Sequence, residues 1–246
     1  MSKYRYEIIC LTCNERCLNS RRNGKFCSPK CKGEYMMKND INQRKYSYNR
    51  QYFSTIDTPA KAYWVGFILG DGHLRKNGKS ITFTLASKDA QQLYNFIDEI
   101  GGDREQVKYR YYNNKSCLSI DSKQMVQDLI LIDVPSKNKS YTAKPLSLPY
   151  QSAFWLGLFD ADGSVGIYDG NIYIKLCGTK SICTGFSKFL GYGGRYIYKI
   201  RNCWEFKKSC NKDYKKICRK IYKFNIQSLE RKKQIFERYK NGNKMC

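Results

Sequence analysis

Two nine-residue segments of the chain each end in an aspartate followed by a glycine. They read WVGFILGDG at Trp64–Gly72 and WLGLFDADG at Trp155–Gly163. Both are apolar enough for a buried helix, and a helix places residues four apart on one face. If the two helices pack together, Asp71 and Asp162 emerge side by side where the helices end. Two adjacent carboxylates are typical ligands of a divalent metal that acts on a phosphate.

Small residues at helical spacing favour this packing. Gly66 and Gly70 in the first segment, like Gly157 and Ala161 in the second, form a flat stripe along one helix face. A stripe without large side chains lets another helix backbone approach closely. The predicted carboxylate site therefore depends on contact between these stripes.

The charge of the chain indicates a polyanionic partner. Among 246 residues, 45 Lys and Arg oppose 21 Asp and Glu, which gives a formal net charge of +24. The cations extend over the whole length and are interleaved with 21 tyrosines and 12 phenylalanines. Distributed cations among aromatics suit a nucleic acid better than a small acidic ligand.

The apolar segments predict an intracellular, soluble chain. Met1–Ile9 is polar and charged, unlike a signal peptide. The longest apolar runs, near Ala62–Leu69 and Phe154–Phe159, are too short to span a bilayer, so we expect no membrane partner.

A cysteine cluster near the N-terminus predicts a structural Zn2+ site. A CxxC pair, a 13-residue spacer and a CxxxC pair supply four candidate ligands, Cys10, Cys13, Cys27 and Cys31. Thiolates at such spacing complete tetrahedral zinc sites, and in a reducing compartment clustered cysteines bind metal more often than they form disulfides. Cys17 is a spare candidate ligand. The sequence FCSPKC at Phe26–Cys31 resembles the second knuckle of treble-clef-like fingers that accompany mobile-element nucleases.

The pattern after each Asp-Gly repeats. Alternating apolar residues predict strands at Ser80–Ala86 and Asn171–Leu176. Glycine-terminated helices are expected at Ala90–Ile100 and Ser181–Leu190. Further strands are expected at Val107–Tyr112, Cys117–Asp121, Arg195–Ile200 and Cys203–Lys208, and closing helices at Ser122–Ile132, Lys212–Phe224 and Ser228–Tyr239. Each half therefore reads helix, two strands, helix, two strands, helix.

The chain is predicted to have four parts. A four-cysteine, zinc-finger-like module occupies 1–35, and a basic linker occupies 36–58. We expect this linker to be helical through Ser47 and to lie along DNA, because Tyr46, Tyr48 and Tyr52 interleave with basic residues such as Arg44 and Arg50. The two repeats occupy 59–150 and 151–246.

Each predicted sheet buries one face against helices and leaves the other open. Polar side chains on a curved open face can enter a major groove and contact base edges. In the first repeat these candidate DNA contacts are Thr82, Thr84, Lys108 and Arg110, with Ser119 beside them. In the second repeat they are Tyr173, Lys175, Lys199, Arg201 and Lys207.

The doubled motif resembles the LAGLIDADG homing endonucleases in their single-chain form. The likeness covers Pro59–Tyr239, and the two aspartates lie 91 positions apart. The resemblance implies an α+β fold with two pseudo-symmetric αββαββα halves that form a DNA-binding β-saddle. It also implies a monomer that hydrolyses both strands of double-stranded DNA with Mg2+, cutting across the minor groove to leave short 3′ overhangs.

The same resemblance implies roles for particular residues. Its catalytic metal ligands are the carboxylates of Asp71 and Asp162 together with the backbone carbonyls of Gly70 and Ala161. A basic residue lies near the metal in each half, for which we expect Lys139 rather than Lys137, and Lys232 ahead of Lys233. Asp160 matches an earlier acidic position of the motif, where the first copy has Leu69.

Two other functions are compatible with this fold. A group I intron RNA maturase would bind intron RNA, with or without DNA cleavage, and a cleavage-inactive DNA-binding regulator would have lost an acidic residue. Both aspartates are present here, which argues for an enzyme. His73, the only histidine, has Ser164 as its counterpart and is expected to be a loop residue rather than a general base.

Overall fold

The chain folds into two compact units. In this computed structural model, residues 6–38 and 46–242 are described, and the units comprise Met1–Ser47 and Tyr48–Cys246. Among the described residues, no helix is both long enough and apolar enough to cross a membrane.

The smaller unit contains a hairpin followed by a helix. Strands β1 (Tyr6–Ile9) and β2 (Arg16–Asn19) pair antiparallel, and helix α1 spans Pro29–Lys38. This helix is described as far as Lys38, and the last two residues of the helix predicted to continue through Ser47, Tyr46 and Ser47, are not helical. Residues 39–45, which include the predicted linker cation Arg44, lie outside the described part of the chain.

The second half of the predicted linker belongs to the larger unit. Tyr52 and Phe53 are buried in its hydrophobic core. The Tyr52 hydroxyl donates to the Glu99 carboxylate, and the Asn49 N–H donates to the Ile100 carbonyl at 2.7 Å. The prediction of a linker through residue 58 is wrong here, because burial of two large aromatic side chains outweighs the polar character of their neighbours.

Two antiparallel sheets and eight helices of four or more residues make up the described part of the larger unit. The first repeat contains α2 (Pro59–Gly70), β3 (Gly72–Leu74), β4 (Ile81–Ala86), α3 (Ala90–Glu99), β5 (Lys108–Arg110), β6 (Lys115–Ile120), α4 (Lys123–Leu131) and the short α5 (Lys139–Thr142). The second contains α6 (Gln151–Asp162), β7 (Gly163–Tyr168), β8 (Asn171–Gly178), α7 (Lys180–Leu190), β9 (Ile197–Ile200), β10 (Cys203–Ser209), α8 (Tyr214–Ile221) and α9 (Glu230–Gly242).

The two repeats share one topology. Their strand orders are β3-β4-β6-β5 and β7-β8-β10-β9, so the predicted αββαββα order is confirmed in both halves. Alternate residues such as Ile81 and Phe83 in β4, or Ile172 and Ile174 in β8, are buried against the helices. Helix α5 was not predicted, since four residues are too few to show a helical period.

The central feature of the larger unit is the pair α2 and α6. Helix α2 begins after Thr58, whose side chain caps it by accepting from the Lys61 N–H. Both helices are apolar on all sides, as expected for helices enclosed by sheets and other helices. Their contact lies in one continuous core that includes both sheets.

Glycines allow the two helix backbones to touch. A Cβ atom added at Gly66 would overlap the Phe154 carbonyl oxygen, and one added at Gly157 would overlap the Tyr63 carbonyl oxygen. The two clashes are reciprocal, which shows that equivalent points of the two helices meet. The predicted stripe is therefore confirmed as a contact between backbones.

Substituting one of these glycines tests the contact. We expect Gly66→Ala to lower the free energy of unfolding by about 3 kcal/mol, because the added methyl group forces the helices apart. Denaturant unfolding of the whole chain measures this change. Gly166→Ala is the matched control, since a Cβ there meets open space among the described residues. Equal stability of the two variants would contradict the packing.

Candidate metal site and nucleic-acid interface

The ends of α2 and α6 bring the two motif aspartates together. A Cβ atom added at Gly70 would overlap the Ala161 Cβ and would lie 3.1 Å from Asp162 Oδ2. The Asp162 carboxylate thus lies against the residue that precedes Asp71. Both aspartates retain exposed surface, so a solvated ion has access to their oxygens.

The electrostatics of this pair favour a bound cation. Burial raises the pKa of Asp162 to about 6, and the neighbouring charge of Asp71 contributes to the rise. Burial also raises the pKa of Asp71, while the cations of Lys139 and Lys232 act in the opposite direction. A cation between the carboxylates would offset their repulsion and their lost hydration. Protons compete with such a cation at acidic pH, because the protonated carboxyl is a poor ligand.

The predicted lysine of the first repeat lies at the end of α2. The Lys139 ammonium donates hydrogen bonds to the carbonyls of Gly70, Gly72 (2.5 Å) and Ile68 (3.4 Å). Burial lowers its pKa, although Asp162 and Asp71 act to raise it. Lys139 therefore binds carbonyls at and just beyond the end of α2 and places a cation beside both carboxylates.

The predicted lysine of the second repeat occupies the equivalent place. The buried Lys232 ammonium donates to the carbonyls of Phe159 (2.7 Å), Asp160 (2.7 Å) and Gly163 (2.6 Å). Burial lowers its pKa to about 8. Of the two lysines that the sequence analysis ranked second, Lys137 is exposed and Lys233 is half-buried.

The two predicted carbonyl ligands are not equivalent. Lys139 already donates to the Gly70 carbonyl, whereas Lys232 donates to the carbonyl of Asp160 rather than to that of Ala161. A carbonyl oxygen has two lone pairs, so a hydrogen bond to Gly70 leaves one for a metal.

Asp160 is part of a buried network that the sequence did not reveal. Its Oδ2 accepts from the Tyr63 hydroxyl and from the Leu229 N–H, both at 2.8 Å. Gln92 donates in turn to the Tyr63 oxygen at 2.6 Å. Burial raises the pKa of Asp160 to about 6, against the effect of the Leu229 N–H and Lys232. Asp160 thus anchors the chain at Leu229, three residues before Lys232. Its counterpart in the first repeat is Leu69, which has no carboxylate and cannot make such contacts.

The first sheet presents the predicted DNA contacts on one face. Residues directly opposite each other in antiparallel strands point to the same side. The pairings His73↔Thr82↔Ser119, Thr84↔Cys117↔Lys108 and Ala86↔Lys115↔Arg110 place all these side chains opposite the buried face. His73 is therefore a strand residue on the open face, and its prediction as a loop residue is wrong. Lys115, on the same face, was not predicted.

The second sheet places only part of its predicted set on the open face. Lys175 lies opposite both Ser164 and Lys207, and Tyr173 lies opposite Ser209, all on the side away from the buried residues. Lys199 instead lies opposite Trp204, next to Phe206 of the buried face, so its predicted orientation is wrong. Because side chains alternate along β9, Tyr198 rather than Lys199 points to the open face.

Arg201 does not belong to a strand. It lies in the turn between β9 and β10, with a positive φ of 45°. The strand predicted at Arg195–Ile200 begins only at Ile197 and ends at Ile200. The tight turn that follows begins with Arg201. Arg201 therefore projects at the tip of a hairpin instead of on a sheet face.

The four predicted zinc ligands form one group. Their sulfur atoms all lie within 4.8 Å of one another, with Cys13 Sγ at 3.8 Å and Cys31 Sγ at 3.4 Å from Cys27 Sγ. A tetrahedral ion with Zn–S bonds of about 2.3 Å separates its sulfurs by about 3.8 Å. Hydrogen bonding, chiefly from the Cys13 backbone, lowers the pKa of Cys10 to about 6, which favours the thiolate. Among the described residues, Cys17 is not part of this group.

Comparisons with known proteins agree with this architecture. No family model matches the chain. The structure is similar to the LAGLIDADG meganuclease I-AabMI bound to uncleaved DNA, with a TM-score of 0.54, 14% identity, and coverage of 76% of this chain and 91% of that one. It is also similar to the meganuclease I-SmaMI bound to uncleavable DNA, with a TM-score of 0.51, 12% identity, and coverage of 76% and 89%. The resemblance predicted from the doubled motif is thus confirmed for the fold, which is that of LAGLIDADG homing endonucleases.

One curated protein is similar in sequence. The intron-encoded RNA maturase bI4 of Saccharomyces cerevisiae is 28% identical over 174 residues, which cover 59% of this chain. The match extends over 26% of the maturase, so the chain spans about a quarter of that protein's length.

Proposed function

We propose that the chain is a homing endonuclease, a site-specific enzyme that hydrolyses phosphodiesters in both strands of double-stranded DNA. The observation that carries this proposal is the meeting of Asp71 and Asp162 at the ends of two helices in backbone contact. The fold shared with DNA-bound meganucleases supports it. Because one chain supplies both motifs, the site is complete in a monomer.

The donor set at the helix ends fits Mg2+. Carboxylate oxygens of Asp71 and Asp162, with the carbonyls of Gly70 and Ala161 beside them, are the hard ligands that this ion prefers. When bound, the metal would lower the pKa of a water molecule and stabilise charge on the leaving 3′ oxygen.

The two lysines act electrostatically on the DNA phosphate that the metal would bind. Hydrogen bonds to carbonyls at the two helix ends fix the ammonium groups of Lys139 and Lys232 close to the carboxylates. Among the described contacts, neither ammonium forms a direct ion pair with Asp71 or Asp162. All three N–H donors of each ammonium are already bound to carbonyls, so each lysine offsets negative charge on the pentacovalent phosphate through its electrostatic field.

The open sheet faces supply the DNA interface. Thr82, Thr84, Lys108 and Arg110 in one sheet, and Tyr173, Lys175 and Lys207 in the other, present varied polar groups to base edges. Lys199 and Arg201 lie off this face, and we assign them to phosphate contacts at its rim. The net charge of +24 supplies affinity that falls with added salt.

Loss of either aspartate tests the catalytic assignment. We expect Asp71→Asn and Asp162→Asn to abolish double-strand cleavage, or to leave only nicking, because each removes one charged ligand from the shared site. The measurement is cleavage-site selection from a randomised DNA library with Mg2+, followed by gel assays on the selected site.

Asp133→Asn is the control for that experiment. Asp133 is an exposed aspartate with a φ of 69°, a conformation that asparagine tolerates, so cleavage should stay as in wild type. DNA binding should persist in all three variants. Unchanged double-strand cleavage by either active-site variant would show that the substituted aspartate is not a catalytic residue.

An RNA maturase is the second candidate. The similarity to maturase bI4 favours it, and so does the asymmetry between the two outer helices. Helix α8 and its flanks expose Lys212, Lys215, Lys216 and Arg219, whereas the equivalent α4 carries a single cation, Lys123. Tight binding of intron RNA by a wild-type chain that cuts no DNA of the randomised library would favour the maturase.

We infer that the cysteine group of residues 1–35 binds Zn2+ and that 59–150 and 151–246 are the two catalytic repeats. Four thiolates with this spacing suit zinc better than harder cations. The unit that holds them is small, and its described residues form a short hairpin and one helix, so metal would contribute much of its folding free energy.

Zinc content tests the N-terminal site. Wild type should carry one zinc per chain by elemental analysis, and Cys10→Ala should carry much less, because three thiolates leave the tetrahedron incomplete. Cys17→Ala should retain the wild-type amount. Equal zinc in the Cys10 variant and in wild type would rule out the proposed ligand set.

A further inference from the structure

The segment that carries Lys232 is tied to the opposite repeat. Arg231, the preceding residue, forms a two-pronged ion pair with Asp89 of the first repeat. Its Nε lies 2.7 Å from Asp89 Oδ1, and its terminal nitrogen lies 2.9 Å from Oδ2. The Asp89 side chain is 13% exposed and that of Arg231 is 46% exposed, so the carboxylate is shielded from water while the guanidinium remains partly solvated, and the geometry is bidentate.

The segment that carries Lys139 is tied in the same way. Helix α5, which begins at Lys139, ends before Ala143. The hydroxyl of Thr179, in the second repeat, donates a 2.6 Å hydrogen bond to the Ala143 carbonyl. Each lysine therefore contacts the helix end of its own repeat, while its segment is fixed by the other repeat.

The two anchor points are topologically equivalent. Asp89 is the N-cap of α3, which follows β4, and Thr179 is the N-cap of α7, which follows β8. These are corresponding junctions in the two αββαββα halves. The crossed attachment is thus a feature of both halves, although one uses an ion pair and the other a hydroxyl.

We propose that Asp89 and Thr179 are positioning residues, each of which holds the active-site lysine of the opposite repeat at its helix end. This rests on the proposed nuclease function of the site. The consequence is that neither half of the site is assembled by one repeat alone. Loosening one attachment displaces one lysine and slows the cut that depends on it, so the balance between the two strands changes.

The ion pair is the attachment that can be removed most cleanly. Thr179 also caps α7 by accepting from the Ile182 N–H, so its substitution weakens a helix as well. Within the described structure, Asp89 makes no side-chain cap bond to its own helix. Arg231→Gln and Asp89→Asn therefore remove the crossed ion pair with little direct effect on α3 or α9.

The test compares Arg231→Gln, Asp89→Asn and the double variant in the whole chain. Arg238→Gln, on the exposed surface of the same α9, is the matched control. The first readout is the rate at which each lysine is acetylated by limiting N-hydroxysuccinimide acetate, resolved by peptide mass spectrometry. The second is the rate of cleavage of each labelled strand of the selected DNA site.

We expect acetylation of Lys232 to rise about ten-fold in both single variants, because local opening exposes a buried amine, while acetylation of Lys139 stays at the wild-type rate. The strand ratio should shift by about ten-fold, since small misplacements of a catalytic group have large effects on rate. The double variant should match the single ones, as expected when two residues act through one contact.

Other results would overturn the proposal. These are unchanged Lys232 acetylation, an equal rise at both lysines, additive effects in the double variant, or an equal slowing of both strands, which would indicate only a general loss of stability. If wild type cuts no DNA, the nuclease proposal fails instead, and the acetylation comparison by itself decides whether Arg231 and Asp89 hold Lys232 in place.

Discussion

Direct contact between two helix backbones is the constraint on which the larger unit depends. Gly66 and Gly157 each face a carbonyl oxygen of the opposite helix, where any side chain would overlap it. Because the helices touch along this line, their ends meet, and Asp71 and Asp162 share one small volume. The cost appears as the raised pKa of both aspartates, since each loses hydration and Asp162 also feels the charge of its partner. Lys139 and Lys232 offset part of this cost, and a cation would offset more.

The same contact organises the layers around it. Each sheet packs its apolar side chains against the helices and leaves its other face open, so both open faces follow from the placement of one helix pair. Each lysine segment closes a helix end in its own repeat and is attached to the other. In the second repeat both contacts come from adjacent residues at the start of α9, where Arg231 pairs with Asp89 and Lys232 binds the end of α6.

Much of this arrangement could be predicted because it repeats along the sequence. The helix pair, the order of strands and the four clustered cysteines follow from local spacing or from the doubled motif, whereas the two lysines follow from the family resemblance. Lys199 could not be placed, because its face depends on the register between β9 and β10, and a shift of one residue reverses every side chain. The contacts of Asp160 and Asp89 join residues far apart in the chain, with Arg231 lying 142 positions from Asp89, and no local pattern marks such pairs.

The central claim is that one aspartate from each repeat holds the same cation. A crystal structure of the chain with its selected DNA and Mn2+, with the metal located by anomalous scattering, tests it most directly. The predicted result is an anomalous peak within about 2.5 Å of carboxylate oxygens of both Asp71 and Asp162, with a DNA phosphate as a further ligand. Peaks bound by only one of these carboxylates, or none at the helix ends in a crystal that holds Mn2+ elsewhere, would contradict the claim.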